Sequence, residues 1–310
     1  MRRKRIEDAL RFLTPVLLAT ALWGSAFPGV KIAFSFLQID ADNIAQQMYF
    51  AGLRFIPAGL LVFAVAAARK KTLVPRRENW PPLLLMSGMQ VVLYYGLYFY
   101  GQAHTSSVRT AILNATPAFF TVGFAHLLGM ERLTLRRAAG CLAGFLGILV
   151  MNAGGGAGGF TFRGEGLLLL AMASDGISKL ISRSVTRGGV DPLVANAWQM
   201  VLGGGVLLLA GLCGGGHFGA FPVQGALWLG YLAVVSAVTF TLWMGLLKRY
   251  DIGSVSVCSF LTPVFGTLAT AALLPQEGAL SPRYLLALLL ICCGVVIVNA
   301  RVRRGKSVQA

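Results

Sequence analysis

Residues 114–134 read NATPAFFTVGFAHLLGMERLT, and residues 260–281 read FLTPVFGTLATAALLPQEGALS. Each stretch has a Thr-Pro dipeptide before an apolar run and a glutamate after it. Pro117 and Pro263 are 146 residues apart, and Glu131 and Glu277 keep the same separation. Because both the residue types and their spacing recur, the chain is predicted to contain an internal repeat.

The repeat continues on both sides of these stretches. Residues 23–31 align with residues 171–179 at a separation of 148, which matches Lys31 with Lys179. Downstream, Gly147 and Asn152 recur 147 residues later as Gly294 and Asn299. We therefore predict a first repeat over 1–153, a second over 164–300, and a basic tail over 301–310.

Composition places both repeats in a membrane. Apolar residues make up 56% of the chain, charged residues 12%, and the mean hydropathy is +0.71. A soluble domain carries about 25% charged residues. Apolar segments of about twenty residues can each cross a bilayer as a helix. The predicted fold is an all-α membrane protein with ten transmembrane helices, over residues 12–36, 45–68, 81–101, 107–128, 135–153, 164–184, 192–213, 224–247, 254–274 and 283–300.

Each repeat holds five of these helices. Because five is odd, the second copy must enter the membrane from the opposite side, which makes the two repeats inverted. Inverted repeats are typical of secondary transporters, whose substrate site lies near the bilayer midplane between the halves.

The net charge of +16 would suit a nucleic-acid partner, but the basic residues are not arranged for one. They form short clusters between apolar segments. Of the 27, 21 fall on one predicted side, in both tails and in the loops after helices 2, 4, 6 and 8. Only Arg109, Arg163 and Arg283 fall on the other. Since Lys and Arg accumulate in cytoplasmic loops, both termini are predicted to be cytoplasmic in a multi-pass inner or plasma membrane protein.

Ionisable residues inside membrane helices are costly and often functional. Lys31 and Lys179 are predicted to face a cavity from opposite ends and to bind substrate or form gates; alternatively, each extends to the nearer membrane surface. Arg54, which the repeat aligns with Gln199, is interpreted mainly as a link between helix 2 and its neighbours. Asp175 lies one helical turn before Lys179, so it either neutralises that lysine or acts as a proton-coupling carboxylate.

Further candidates for the cavity are neutral polar or aromatic residues, namely Trp23, Ser25, Tyr95, Asn114 and Trp243. Pro28, Pro117 and Pro263 are predicted to kink helices 1, 4 and 9, because proline removes a backbone donor. Such kinks are either permanent features of shape or bending points.

Two motifs that resemble nucleotide or metal sites are rejected. Residues 154–159 fit a GxGxxG pattern, but they follow a membrane helix instead of a strand. The three histidines are too scattered for a metal centre or a catalytic triad. We predict a protein that is not an enzyme, with no cofactor and no metal. Its expected partners are a small-molecule substrate, the lipid bilayer and protons, with no nucleic acid and no required oligomer.

Several motifs in a fixed order resemble the EamA-type branch of the drug/metabolite transporter superfamily. They are Trp23-Gly-Ser-Ala-Phe27, Leu53-Arg54-Phe55, Thr116-Pro117, Glu131-Arg132-Leu133-Thr134, Leu242-Trp243, Leu261-Thr-Pro-Val-Phe265 and Gly294-Val-Val-Ile-Val298. Residues 275–278 depart from the family's Gly-Glu pair. The resemblance implies a ten-helix transporter with two EamA repeats around a central cavity. We predict a secondary transporter that exports a small metabolite, an amino acid or a related polar or amphipathic compound, by alternating access through this cavity. The alternative is a lipid-handling or scaffold protein that moves no soluble solute.

Overall fold

The computed structural model describes residues 2–130, 133–152, 159–219, 221–249 and 258–299, and within them the fold is all-helical. The predicted tail 301–310, Glu131 and most of the glycine run 154–159 lie outside the described residues. The α-helices, numbered in chain order, are α1 (Arg2–Phe36), α2 (Ile44–Ala68), α3 (Trp80–Ser87), α4 (Tyr94–Ala103), α5 (Ser107–Leu113), α6 (Pro117–Leu127), α7 (Leu135–Asn152), α8 (Leu167–Arg187), α9 (Pro192–Cys213), α10 (Val223–Arg249), α11 (Leu261–Leu273) and α12 (Pro282–Asn299).

Among the described residues, six helical stretches are long and apolar enough to cross a membrane. They are Arg11–Phe36, Ile44–Ala68, Arg77–Ala103, Leu135–Asn152, Pro192–Cys213 and Val223–Leu246. Two shorter apolar helices cover Leu261–Leu273 and Pro282–Ile297. The α8 helix is long enough but carries Asp175, Lys179 and Arg183. This composition and length identify a membrane protein built from helices.

Two of the predicted helices are interrupted. A π-helical segment, Gly88–Leu93, joins α3 to α4, so one wider turn lies inside the predicted segment 81–101. The predicted segment 107–128 is divided, because α5 ends at Leu113 and α6 begins at Pro117. The first helical position suits proline, since no acceptor is available there for an N–H. Pro117 therefore begins a helix, which corrects the prediction of a kink inside one.

The other two prolines lie within helices, Pro28 in α1 and Pro263 in α11. Near Pro28, the side chain of Gln102 in α4 donates to the carbonyl of Phe27 at 2.7 Å. This hydrogen bond joins α1 to α4. Whether any of the three prolines is a bending point stays a prediction.

The packing of the helices repeats when the two halves are exchanged. The α1 helix packs on α10 and α11. Its counterpart in the second repeat, α8, packs on α4 and α6. These two helices are in turn the counterparts of α10 and α11 in the first repeat. Two further close pairs join matched helices to each other, α2 to α9 and α7 to α12. The interface between the halves is therefore built from equivalent surfaces.

Close approach of α2 and α9 depends on glycine. A Cβ at Gly211 would lie 2.5 Å from the backbone N of Tyr49, and one at Gly52 would lie 2.6 Å from Cα of Leu208. Backbone atoms cannot move aside as the end of a flexible side chain can. Small residues that let helix backbones approach closely are common in membrane helix pairs.

We expect Gly211→Ala to destabilise the protein by roughly 1–3 kcal/mol, because the added methyl group overpacks a backbone contact. Gly205→Ala on the same helix is the matched control, since no atom lies within 4 Å of the new Cβ. Thermal unfolding in detergent should show a lower melting temperature for Gly211→Ala alone. Equal melting temperatures for the two variants would contradict the packing described.

Candidate functional site

A central polar cluster, consisting of Gln90, Tyr94, Asn114, Asp175 and Lys179, joins helices from both halves. Lys179 Nζ lies 2.8 Å from Asp175 Oδ2, and Gln90 Nε2 donates to Asp175 Oδ1 at 3.3 Å. The Tyr94 hydroxyl donates to Asn114 Oδ1 at 3.0 Å. Asp175 takes part in two of these three contacts.

Local structure explains how these side chains meet. Asp175 and Lys179 are four residues apart on α8 and therefore share one face. Gln90 belongs to the π-helical segment, whose wide turn changes the direction of the side chains that follow. Asn114 occupies the gap between α5 and α6. The two interruptions of the predicted helices thus supply polar residues to the cluster.

The cluster has one side open to its surroundings. The Lys179 side chain is 49% exposed, whereas that of Asp175 is 15% exposed. Lys179 is therefore the more exposed member of the pair, and Asp175 is the more buried one.

Arg54 lies beside this cluster in a buried site. Its Nε and Nη2 atoms donate to Ser236 Oγ of α10 at 3.3 and 3.2 Å. Its guanidinium carbon lies 5.0 Å from the ring centre of Phe55 and 6.0 Å from that of Phe99. The residue is 5% exposed. The predicted link between helix 2 and its neighbours is present as the hydrogen bonds to Ser236.

Aromatic side chains of α4 surround Arg54. The rings of Tyr95 and Phe55 are 4.1 Å apart between centroids, and those of Tyr94 and Tyr98 are 5.3 Å apart and stacked. Tyr95 also packs edge-on against Tyr94, whose hydroxyl donates to Asn114 of the central polar cluster. The tyrosines therefore connect the surroundings of Arg54 with that cluster.

The other predicted cavity residues have described contacts with residues outside this cluster. Trp23 packs edge-on against Trp243 of α10, with ring centroids 5.3 Å apart. The hydroxyls of Ser25 and Tyr231 are 2.6 Å apart. Gln199 donates to Asn196 at 2.5 Å, and its carbonyl accepts from Ser87 of α3. These residues join neighbouring helices, and their role in a cavity stays a prediction.

Lys31 belongs to a second group of charges, the Arg109 cluster, defined as Lys31, Arg109, Glu165, Glu277 and Tyr284. Lys31 Nζ lies 3.3 Å from Glu277 Oε1, and Arg109 Nη1 lies 2.6 Å from Glu165 Oε1. Arg109 also donates to the Tyr284 hydroxyl at 3.2 Å. Each of these contacts joins the first half of the chain to the second.

The Arg109 cluster lines a cavity of about 360 Å³. The arginine and glutamate side chains of its central pair are only 6% and 1% exposed. Glu165 also accepts from the hydroxyls of Thr105 and Thr161. The ion pair with Arg109 and these hydrogen bonds satisfy the buried carboxylate, so the pair fastens the two halves together beside this cavity.

A smaller group of polar residues lies at the rim of the same cavity. His104, which lines the cavity, has its Nε2 atom 3.1 Å from Asp42 Oδ1. Asp42 also accepts from the Tyr100 hydroxyl at 3.3 Å. The hydrogen bond with His104 lowers the pKa of Asp42. The carboxylate is therefore ionised at neutral pH and joins the loop before α2 to the end of α4.

The sequence interpretation missed Glu165, Gln90 and Ser236. Glu165 lies at the start of a predicted helix, close to Arg163. Arg109 and Arg163 are predicted on the same side of the membrane, so an ion pair between Glu165 and Arg109 could have been considered. Gln90 is a polar residue within an apolar run, which is a weaker indication of a functional position. Ser236 gives no signal, because serine is common in membrane helices.

Comparison with known proteins adds to this geometry. The EamA-like transporter family model matches residues 13–153 and again residues 162–300. "Uncharacterized transporter YoaV" of Bacillus subtilis is 23% identical, over 96% of this chain and 99% of that protein. "Uncharacterized inner membrane transporter YedA" of Escherichia coli K12 is 27% identical, over 95% and 92%.

A third relative, "Probable terminal-alkyne amino-acid exporter" of Streptantibioticus cattleyicolor, is 24% identical over 92% of each chain. A solved crystal structure has the same fold, with a TM-score of 0.64, 23% identity, and coverage of 93% of this chain and 96% of the other. Two matches to one family model cover nearly the whole sequence, and the helices are those of a membrane protein. The chain therefore belongs to the EamA-like transporter family and is a membrane transporter.

Proposed function

We propose that the protein is a secondary exporter of an amino acid or a closely related amphipathic metabolite in the inner or plasma membrane. The observation that carries this proposal is a pair of opposite charges in the interface between the halves, where Arg54 donates to Ser236 and Asp175 accepts from Gln90. A small zwitterion with an apolar side chain has the complementary chemistry. The name of the Streptantibioticus relative supports both the substrate class and export.

The proposed architecture has ten membrane spans in two inverted repeats, 1–153 and 164–300, with both termini and the tail 301–310 in the cytoplasm. The repeated packing of the halves supports this architecture, because inverted repeats can exchange shapes. Alternating access then opens the central polar cluster to one side at a time. The Arg109 cluster closes the outer side in the conformation described.

Purified protein in liposomes tests this function. Uptake of each labelled amino acid from a panel is measured with and without an imposed proton gradient, using protein-free liposomes as the control. We expect at least one amino acid to accumulate above the control. If no amino acid moves, or if the protein only transfers lipid between leaflets, the proposed function is wrong.

The orientation makes a separate prediction. A fluorescent protein that matures in the cytoplasm should fluoresce when fused after Ala310, and alkaline phosphatase at that position should be inactive. A fusion after Asn152 follows an odd number of spans and should give the opposite result. Active phosphatase after Ala310 would refute the ten-span topology.

A further inference from the structure

Arg54 is a buried cation whose charge is not neutralised by an acidic side chain among the described residues. The described ion pairs use Asp42, Glu78, Glu165, Asp175, Asp191 and Glu277, each with a cation other than Arg54. A guanidinium has five N–H donors. The two bonds from Arg54 that the structure describes both end on Ser236 Oγ.

Ser236 cannot neutralise this charge. Its own hydroxyl donates to the carbonyl of Leu232 at 2.9 Å, which leaves only its lone pairs for Arg54. The other neighbours of Arg54 are the rings of Phe55 and Phe99 and the phenols of α4. An unpaired buried charge is strongly destabilising, and in a membrane it indicates a functional site.

An anion supplied from outside the chain would satisfy the guanidinium. The planar fork of arginine matches a carboxylate with two parallel hydrogen bonds. Asp175 accepts from Gln90, which precedes Tyr94 by four residues, and Lys179 is its half-exposed partner. The Arg54 guanidinium lies over Phe55, whose ring packs on Tyr95. A carboxylate at Arg54 and an ammonium at Asp175 would therefore place a substrate beside the two tyrosines.

We propose that Arg54 binds the carboxylate of the transported zwitterion, while the ammonium of the substrate replaces Lys179 at Asp175. This inference rests on the proposed function and names two charged subsites in the interface between the halves. The apolar part of the substrate packs on Tyr95, Tyr98 and Phe55. Ser236 positions the guanidinium and does not itself contact the substrate.

The test compares amino acids with their amides, which keep the ammonium but lack the carboxylate. The probes are L-phenylalanine, L-leucine and L-threonine with the three matching amides. Binding of each probe is measured as inhibition of the uptake of the labelled amino acid that the wild-type protein transports in liposomes. In the wild-type protein we expect at least one amino acid to compete roughly tenfold or more better than its amide, the preference given by one charge-assisted hydrogen bond.

Arg54→Gln should reduce the ratio of acid to amide competition to about one, because it weakens binding of the amino acid and leaves binding of the amide nearly unchanged. Arg54→Lys, which keeps the charge but loses the fork, covers the case in which the glutamine variant does not fold, and it should lose most of the preference. Arg69→Gln, an exposed arginine after α2, is the matched control and should keep the wild-type preference.

Two outcomes would overturn the proposal that Arg54 binds the substrate carboxylate. One is a wild-type protein that binds amides as well as acids, and the other is an Arg54 variant that keeps the wild-type preference. Both differ from failure of the proposed function, in which the wild-type protein moves no amino acid at all. Transport that persists with an unchanged acid-to-amide ratio would leave the exporter intact and remove Arg54 from its binding site.

Discussion

Replacing Arg109 by methionine is expected to destabilise the protein by about 3 kcal/mol or more, because breaking a buried ion pair leaves the other charge uncompensated. Glu165 is 1% exposed and would keep only its hydrogen bonds from threonines. Reversible unfolding in mixed micelles gives the free energy of unfolding, and thermal unfolding in detergent gives a faster comparison.

The control for this prediction is removal of both charges. Arg109→Met combined with Glu165→Met leaves no unpaired ion, so the double variant should regain much of the lost stability. Glu78→Gln breaks a pair with Arg76 that is 3.9 Å long and mostly exposed, and it should change stability little. If Arg109→Met were as stable as the wild type, the buried pair would not stabilise the contact between the halves.

Asp175→Asn is expected to abolish accumulation of substrate against its gradient, while exchange across the membrane continues at raised substrate concentration. Asparagine keeps the size and the hydrogen bond with Gln90, but it cannot carry a proton or a negative charge. The measurements are gradient-driven uptake and counterflow in liposomes over a range of pH. We expect the pH dependence of uptake to disappear together with accumulation.

The stability of the same variant separates transport from folding. Lys179 is 49% exposed, so loss of its partner should cost little. A melting temperature near that of the wild type, with accumulation lost, supports a coupling role for Asp175. A lower yield of folded protein with unchanged pH dependence would instead show that the pair is structural.

Much of the fold follows from sequence because repetition and hydropathy are properties of long segments. The separations of 146 to 148 residues match helices that do pack as exchanged pairs. The spacing of Asp175 and Lys179 also predicts their contact, since residues four apart share a helix face. Structural features that depend on the conformation of a single helical turn could not be predicted in this way.

The interruptions illustrate this limit. A π-helical turn at Gly88–Leu93 changes no average hydropathy, and a proline such as Pro117 suits either a kink or a helix start. The repeat also aligns Arg54 with Gln199, yet the two residues have different neighbours. Arg54 contacts α10 and Gln199 contacts α3, because side-chain environment depends on tertiary packing and not on alignment.

The pair Arg109–Glu165 has no charged counterpart in the repeat. The repeat separations carry Arg109 onto Val255 and Glu165 onto Leu17, both apolar. If the two repeats were identical, the inward-open and outward-open conformations would be equally populated. A difference of about 1.4 kcal/mol between them gives the favoured conformation a tenfold excess. In the proposed orientation, we therefore expect the empty carrier to rest with its binding site facing the cytoplasm, ready for the next molecule to be expelled.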